Sequence, residues 1–405
     1  MAREIARAVV SLRSDTRRPD SEGPSMNQNP AEPPRNADPK PRLGRRRLLR
    51  TAMGAAVAAP LVGMAASSRA AEDLVPAGTP LIGRNRAELV LIGTAAGPVP
   101  MAGRAGISSA LVVNGRVYVV DLGHGAFDGF ERAGLRIADL DAVFITHLHS
   151  DHIADLYTLP FLRFGGIKPM THPLHIYGPG RAGALPRTDR PRPVVNPANP
   201  TPGLTDLVNA QMAGTAYDLN LRMRDEGWPD IRGLVRTHDI AVPPVGAGPH
   251  GPMAPPMRPF PVMSDDNVKV SAILVEHPPV FPSFAFRFDT EHGSVVFSGD
   301  TTITPNVVTL ARGADVLVHE VIAMRLVRIA GNLSPDQVRH HENSHSDVAR
   351  VGREVAQEAG VERLVLSHLA PGDRRMVPDA VWKVQAGRGY DGRVIVGDDG
   401  MRVPL

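Results

Sequence analysis

The segment Thr146-His147-Leu148-His149-Ser150-Asp151-His152 directly follows the apolar run Ala142-Val143-Phe144-Ile145. Three imidazoles and a carboxylate within six residues can be shared between two metal ions. His147 and His149, two apart in an extended segment, point to one side, while Asp151 and His152 turn toward a second ion. Three more donors follow strand-like apolar runs: His277 after residues 271–276, Asp300 after Val295-Val296-Phe297, and His368 after Leu364-Val365-Leu366. This pattern predicts His147, His149 and His277 for one ion, Asp151, His152 and His368 for the other, and Asp300 as the bridge. Two close dications repel, and a shared carboxylate offsets that repulsion. The pair also lowers the pKa of a water between them, giving a nucleophile at neutral pH. The expected chemistry is hydrolysis, with Asp151 and Asp300 orienting the water and no serine or cysteine nucleophile.

Composition narrows the choice further. The chain has 405 residues, 42% of them hydrophobic, enough to bury a full core, and it has no cysteine. Disulfides and zinc thiolates are therefore excluded, and any metal is held by nitrogen and oxygen. The formal net charge is +3, yet 13 basic and only 6 acidic residues fall within 1–71, so the body from Glu72 onward carries a net charge of −4. A surface that neutralises many phosphates needs a basic patch, so nucleic acid is disfavoured as a partner and a small molecule preferred.

Residues 1–71 read as a Pro- and Arg-rich lead-in followed by an export signal. Gly44-Arg45-Arg46-Arg47-Leu48-Leu49-Arg50 resembles a twin-arginine motif, an uncharged run covers 51–66, and Ser68-Arg69-Ala70-Ala71 suits a peptidase. The expectation is transfer by the twin-arginine machinery to the periplasm or beyond, with no membrane span left in the mature protein. Met26 lies nearer the arginines than Met1 and is an alternative start.

Residues 72–405 are expected to form one α/β domain. Leu89-Val90-Leu91-Ile92 reads as a buried strand, and two further strands meet at Asn114-Gly115, a two-residue hairpin signal. The motif is followed by a helical stretch through Arg163. Residues 181–265, crowded with proline, read as an inserted arm or lid bearing one helix over 206–226 with Thr205 as N-cap. Regular structure then resumes, including a helix near 306–312, a strand over 316–318, a long helix over 346–359 ending at Gly360, and a strand over 363–367. Strands, helices and strands again suit two sheets packed face to face with helices on both outer sides.

On these residues the chain resembles the metallo-β-lactamase fold superfamily. The matching elements are Gly93-Thr94 with its glycine-rich loop, Asp121-Leu122-Gly123, residues 146–152, Ser298-Gly299-Asp300-Thr301 and Ser367-His368. The resemblance implies a four-layer αββα sandwich with a dinuclear centre, usually two zinc ions, with manganese or iron as alternatives. Within the superfamily it looks most like the branch of tRNA 3′-processing endonucleases and metal-dependent arylsulfatases and phosphodiesterases. That branch implies a general acid in a His-Ser pair, which His345-Ser346 matches. His319-Glu320 reads as support for a ligand or as a buried polar pair, and His340 and His341 as solvated loop residues.

Departures guide the choice of substrate. β-Lactamases of the superfamily use a cysteine ligand or lack the bridging aspartate, and quorum-quenching lactonases carry a tyrosine where this chain has Ile303. The tRNA-processing enzymes resembled here place a basic arm after the third histidine, whereas only 23 positions separate His277 from Asp300. The expectation is therefore an exported hydrolase of a small sulfate or phosphate ester. An RNA-processing nuclease is the alternative, and a lactonase or a non-catalytic metal-binding protein ranks behind it. A homodimer stays open.

Overall fold

The computed structural model of the protein describes residues 86–188, 192–330 and 333–405. The lead-in and export signal expected over residues 1–71 lie outside the described residues. Six consecutive strands lie side by side in chain order: β1 (Ala87–Gly93), β2 (Ser108–Val113), β3 (Arg116–Val120), β4 (Leu140–Phe144), β5 (Leu174–Pro179) and β6 (Val235–Ile240). β1 to β3 are antiparallel and β3 to β6 parallel. The β2–β3 hairpin closes on Asn114 at φ 52° and Gly115 at φ 83°, both left-handed, as a two-residue turn of this kind requires.

A second sheet holds β7 (Phe260–Ser264), β8 (Lys269–Leu274), β9 (Phe284–Thr290), β10 (Gly293–Phe297), β11 (Val316–Ile322), β12 (Arg363–Ala370) and β13 (Arg393–Val396), again in chain order. The C-terminal strand β14 (Arg402–Pro404) returns to the free edge of β1. Alternation along the strands assigns the cores. Leu89, Leu91, Leu111 and Phe144 face Leu274, Phe284, Phe286 and Phe288 between the sheets. Phe144 meets Phe288 and Phe286 edge-on at 5.0 and 5.5 Å. Val90, Ile92, Val143 and Ile176 face outward under Phe130 and Phe161, and on the other side Val296, Leu317 and Leu364 lie under Val307, Val351 and Trp382. This is the expected αββα sandwich, and strands covered on both faces explain the unbroken apolar runs.

The boundaries differ in places. The single helix expected over 206–226 is two, Leu204–Gly214 and Ala216–Arg224, broken at Thr215. Its N-cap is Gly203, whose N–H donates to Asp206, because the Thr205 N–H and hydroxyl are both engaged by Asp239. The helical stretch expected after His152 is two short helices, Ser150–Ile153 and Thr158–Phe161. The segment 181–265 also supplies edge strands to both sheets, β6 and β7. Two helices the sequence reading missed, Met324–Ala330 and Pro335–Ser344, flank the end of β11. Among the described residues no helix is long and apolar enough to cross a membrane.

Candidate active site

The histidine motif leaves the end of β4 beside the end of β3, where Asp121 takes a left-handed conformation at φ 60°. Its carboxylate accepts the Thr146 N–H at 2.8 Å, the Thr146 hydroxyl at 2.9 Å and the His152 Nδ1–H at 2.8 Å. With Nδ1 engaged, His152 keeps Nε2 for the centre of the site. His149 precedes the short helix Ser150–Ile153, which carries Asp151 and His152. Asp151 in turn accepts the N–H of Gly97 at 3.1 Å, and a Cβ on Gly97 would sit 2.1 Å from the Asp151 Cβ. Only glycine fits there.

The downstream donors come from the second sheet. His277 follows β8 and donates Nδ1–H to the Ser344 carbonyl at 2.7 Å, which again frees Nε2. Asp300 leaves β10 through Gly299, left-handed at φ 58°. His368 sits at a bulge in β12: Glu320 pairs with Ser367 and Val321 with Leu369, so His368 drops out of the ladder at φ 44°. A bulge re-aims one side chain, here into the space between the sheet ends.

All seven sequence-predicted donors converge. His147, His149 and His277 form one group and Asp151, His152, Asp300 and His368 another, each with ligand atoms within 4.8 Å of one another. Asp300 Oδ2 lies 3.4 Å from His152 Nε2, 3.3 Å from His368 Nε2 and 4.0 Å from His277 Nε2, between the two groups. His147 Nε2, His152 Nε2 and Asp300 Oδ1 are buried without a hydrogen bond among the described residues. Buried polar atoms of this kind cost roughly 1–3 kcal/mol each when left unpaired, so several at one point fit a cation that pairs with all of them.

The charges agree with that fit. Burial, with His152 and His277 nearby, holds His147 well below the ordinary histidine range, and burial pushes His277 down to about 3. For Asp300 burial opposes ionisation, but the imidazoles of His368 and His152 outweigh it and hold the carboxyl well below its usual value. Burial likewise opposes a charge on His152, and the carboxylates of Asp300 and Asp121 override it. Unprotonated His147 and His277 beside an ionised Asp300 suit a divalent cation, which would take the place of the proton on His152.

His345 stands over this centre, its ring 5.2 Å from that of His277 and 5.8 Å from that of His368. Its Nδ1 donates to Glu320 Oε1 at 3.2 Å, and the same oxygen accepts the N–H groups of Ser346 at 3.0 Å and Thr301 at 3.1 Å. Burial works against a charge on His345, yet Glu320 and Asp300 raise its pKa to about 9. The pair His319-Glu320 thus divides: Glu320 holds His345, while His319 is buried with Nδ1 on the Glu320 carbonyl. His340 and His341 are half-buried in the C-terminal half of the helix Pro335–Ser344, not in a solvated loop. The reading of separate residues missed Gly97, Ser344 and the role of Asp121. Of these, only Asp121 had a signal in the sequence, a lone acid at a strand end.

The metallo-beta-lactamase superfamily profile matches residues 102–368. The chain belongs to the metallo-β-lactamase superfamily. Curated relatives named Ribonuclease Z include one from Mycobacterium sp. (strain KMS), 32% identical over 324 residues, covering 78% of this chain and 96% of the relative. Another, from Mycobacterium avium (strain 104), is 30% identical over 322 residues and covers 78% and 98%. The solved structure of human tRNase Z, short form, aligns with a TM-score of 0.52 at 20% identity over 78% of this chain and 98% of that one. The metallo-beta-lactamase fold protein YhfI from Bacillus subtilis gives 0.50 at 20% identity over 79% and 100%. This superfamily member is a metal-dependent hydrolase acting on ester bonds, in the branch of the ribonuclease Z proteins. Relatives that carry a ribonuclease's name run against the expectation that nucleic acid is disfavoured as a partner.

Proposed function

We propose that this chain hydrolyses phosphodiester bonds in RNA, with a dinuclear centre, zinc first among candidate ions, held by His147, His149 and His277 on one side and Asp151, His152 and His368 on the other, Asp300 bridging. The observation that carries this reading is His345, held by Glu320 over Asp300. An aryl sulfate or aryl phosphate releases a stable phenolate and needs little help from an acid. A ribose alkoxide needs its proton delivered as the bond breaks. A buried imidazole kept charged by a carboxylate is built for the second case, so the RNA alternative displaces the small aryl ester as the main reading. The shared name of relatives aligned over nearly their whole length supports it.

When bound, two divalent ions would supply Lewis acidity at the phosphoryl oxygens and an activated water. The chain's own residues do the rest. Asp121 and Ser344 fix the tautomers of His152 and His277, and Asp151 is steadied by the Gly97 N–H. With Nδ1 on Glu320, His345 keeps Nε2 to donate a proton to the departing oxygen.

A small ester remains the second reading because β9 and β10 join directly through residues 290–293, leaving no gripping arm at that point. Export through residues 1–71 is a separate proposal, decided by fractionating cells that express the full chain. The test of function is metal analysis of the purified chain together with a panel of a tRNA precursor carrying a 3′ trailer, short RNA, an aryl sulfate and a lactone. Cleavage of RNA that stops on chelation supports the proposal. Turnover of the aryl sulfate or lactone with intact RNA overturns it.

A further inference from the structure

Three imidazoles outside the predicted ligand set gather where the helix Pro335–Ser344 ends. The ring of His345 lies 6.2 Å from that of His340 and 5.8 Å from that of His341, and His340 and His341 are 5.6 Å apart. Both residues lie in the C-terminal half of the helix Pro335–Ser344, His341 in its last turn, and the chain reaches His345 immediately after it. Nothing in the hydrolytic step described above uses either of them.

Their hydrogen bonding is incomplete among the described residues. The Ser344 hydroxyl donates to the Pro278 carbonyl, so its oxygen accepts from His340 Nδ1–H at 3.3 Å, which leaves His340 Nε2 as an acceptor. His341 Nδ1 is buried with no partner among the described residues. Burial first, and the neighbouring charge of His345 second, hold both imidazoles below the ordinary histidine range, so at neutral pH they carry no charge. Neutral imidazoles do little for a phosphate, but they accept a hydrogen bond from a hydroxyl.

We propose that His340 and His341 recognise a hydroxyl vicinal to the scissile oxygen, so that the site selects a ribose leaving group over a deoxyribose one. When O3′ departs, that hydroxyl is the 2′-OH, the group that distinguishes RNA from DNA. The step itself is plain hydrolysis: the water oxygen bonds to phosphorus and releases a proton to solvent, the P–O3′ bond breaks, and O3′ takes a proton from His345, which solvent restores. The proposal rests on the phosphodiester reading of the same site.

The test compares two dinucleotides, uridylyl-(3′→5′)-adenosine and its 2′-deoxyuridine counterpart, on the metal-loaded full chain, following release of adenosine 5′-monophosphate. The wild type is expected to favour the ribose substrate in kcat/KM by about tenfold or more, the worth of one or two neutral hydrogen bonds. The double variant H340F/H341F, which keeps a ring at each position but removes the acceptors, should bring the ratio close to one. The single variant H341F leaves the Ser344 contact intact and should lower the ratio part of the way. Metal content per chain and circular dichroism matching the wild type show that the site still forms. A wild-type ratio near one overturns the proposal while leaving phosphodiester hydrolysis standing, as does a ratio that survives in both variants. If neither dinucleotide is cleaved while an aryl sulfate is turned over, the RNA reading fails and this proposal with it.

Discussion

At the scale of single residues, two carboxylates outside the seven predicted donors decide how the site works. Glu320 raises His345 by pairing with its Nδ1, so Glu320→Gln removes the main charge that keeps the imidazole protonated. An acid whose pKa is raised stays competent below that pKa and loses its proton as pH climbs through it. The alkaline fall of kcat in Glu320→Gln should therefore begin at lower pH than in the wild type, as a pH–rate profile would show. His345→Asn should reduce kcat on a ribose-leaving substrate by about 10²-fold or more, and far less on a 4-nitrophenyl phosphodiester, whose leaving group needs no proton. Equal losses on both substrates would remove His345 from the acid role. Asp121 acts through His152. Asp121→Asn can offer an N–H to Nδ1 and favour the wrong tautomer, so metal affinity should weaken by roughly 10- to 100-fold, measured by competition with a chelator.

At the scale of elements, what the sequence revealed divides by range. Donors at strand ends were readable because each follows an apolar run, and the strands carried them to one place. The aim of each side chain was not. His368 depends on a bulge, visible only in the pairing of β11 with β12, and Ser344 orients His277 from 67 positions away. The helix that ends at Ser344 did have a local signature, Ser334 and Gln337 as a capping box with Pro335 at its start. Its polar composition offered no apolar stripe, and the segment read as a loop. The glycine-rich loop after β1 is tied down by Asp399, which accepts the Thr94 hydroxyl at 2.8 Å and the Ala105 N–H at 2.6 Å. The loop cannot retreat, so the methyl group of Gly97→Ala must displace Asp151. We expect metal content and kcat to fall together in Gly97→Ala, by about tenfold or more, while the melting temperature of the metal-free protein changes little. Full activity with full metal content would show that the loop yields.

At the scale of the molecule, the site is a cost that the fold carries until cations relieve it. The imidazoles of His147, His149 and His277 have depressed pKa values, His277 reaching about 3, whereas an unfolded histidine titrates near about 6.5. Below that point the unfolded chain takes up protons that the folded chain refuses. Their contribution is therefore complete above about pH 6.5 and lost as pH falls below it, for His277 down to about pH 3, at about 1.4 kcal/mol per group and pH unit. His152 and His345 are raised, so they act in the opposite sense: their contribution is complete below about pH 6.5 and lost at higher pH, for His345 as pH rises through about 9. The chelator-treated protein should accordingly melt highest near about pH 6–7 and lower on both sides. If zinc binds the folded arrangement alone, a thousandfold excess over its dissociation constant should add about 4 kcal/mol. Protons compete for the same imidazoles, and the gain in melting temperature should be large near about pH 8 and vanish toward about pH 4. Thermal melts across that range, with chelator and with zinc, check both limbs. A zinc-induced gain that does not change with pH would mean that the ions bind elsewhere than at these histidines.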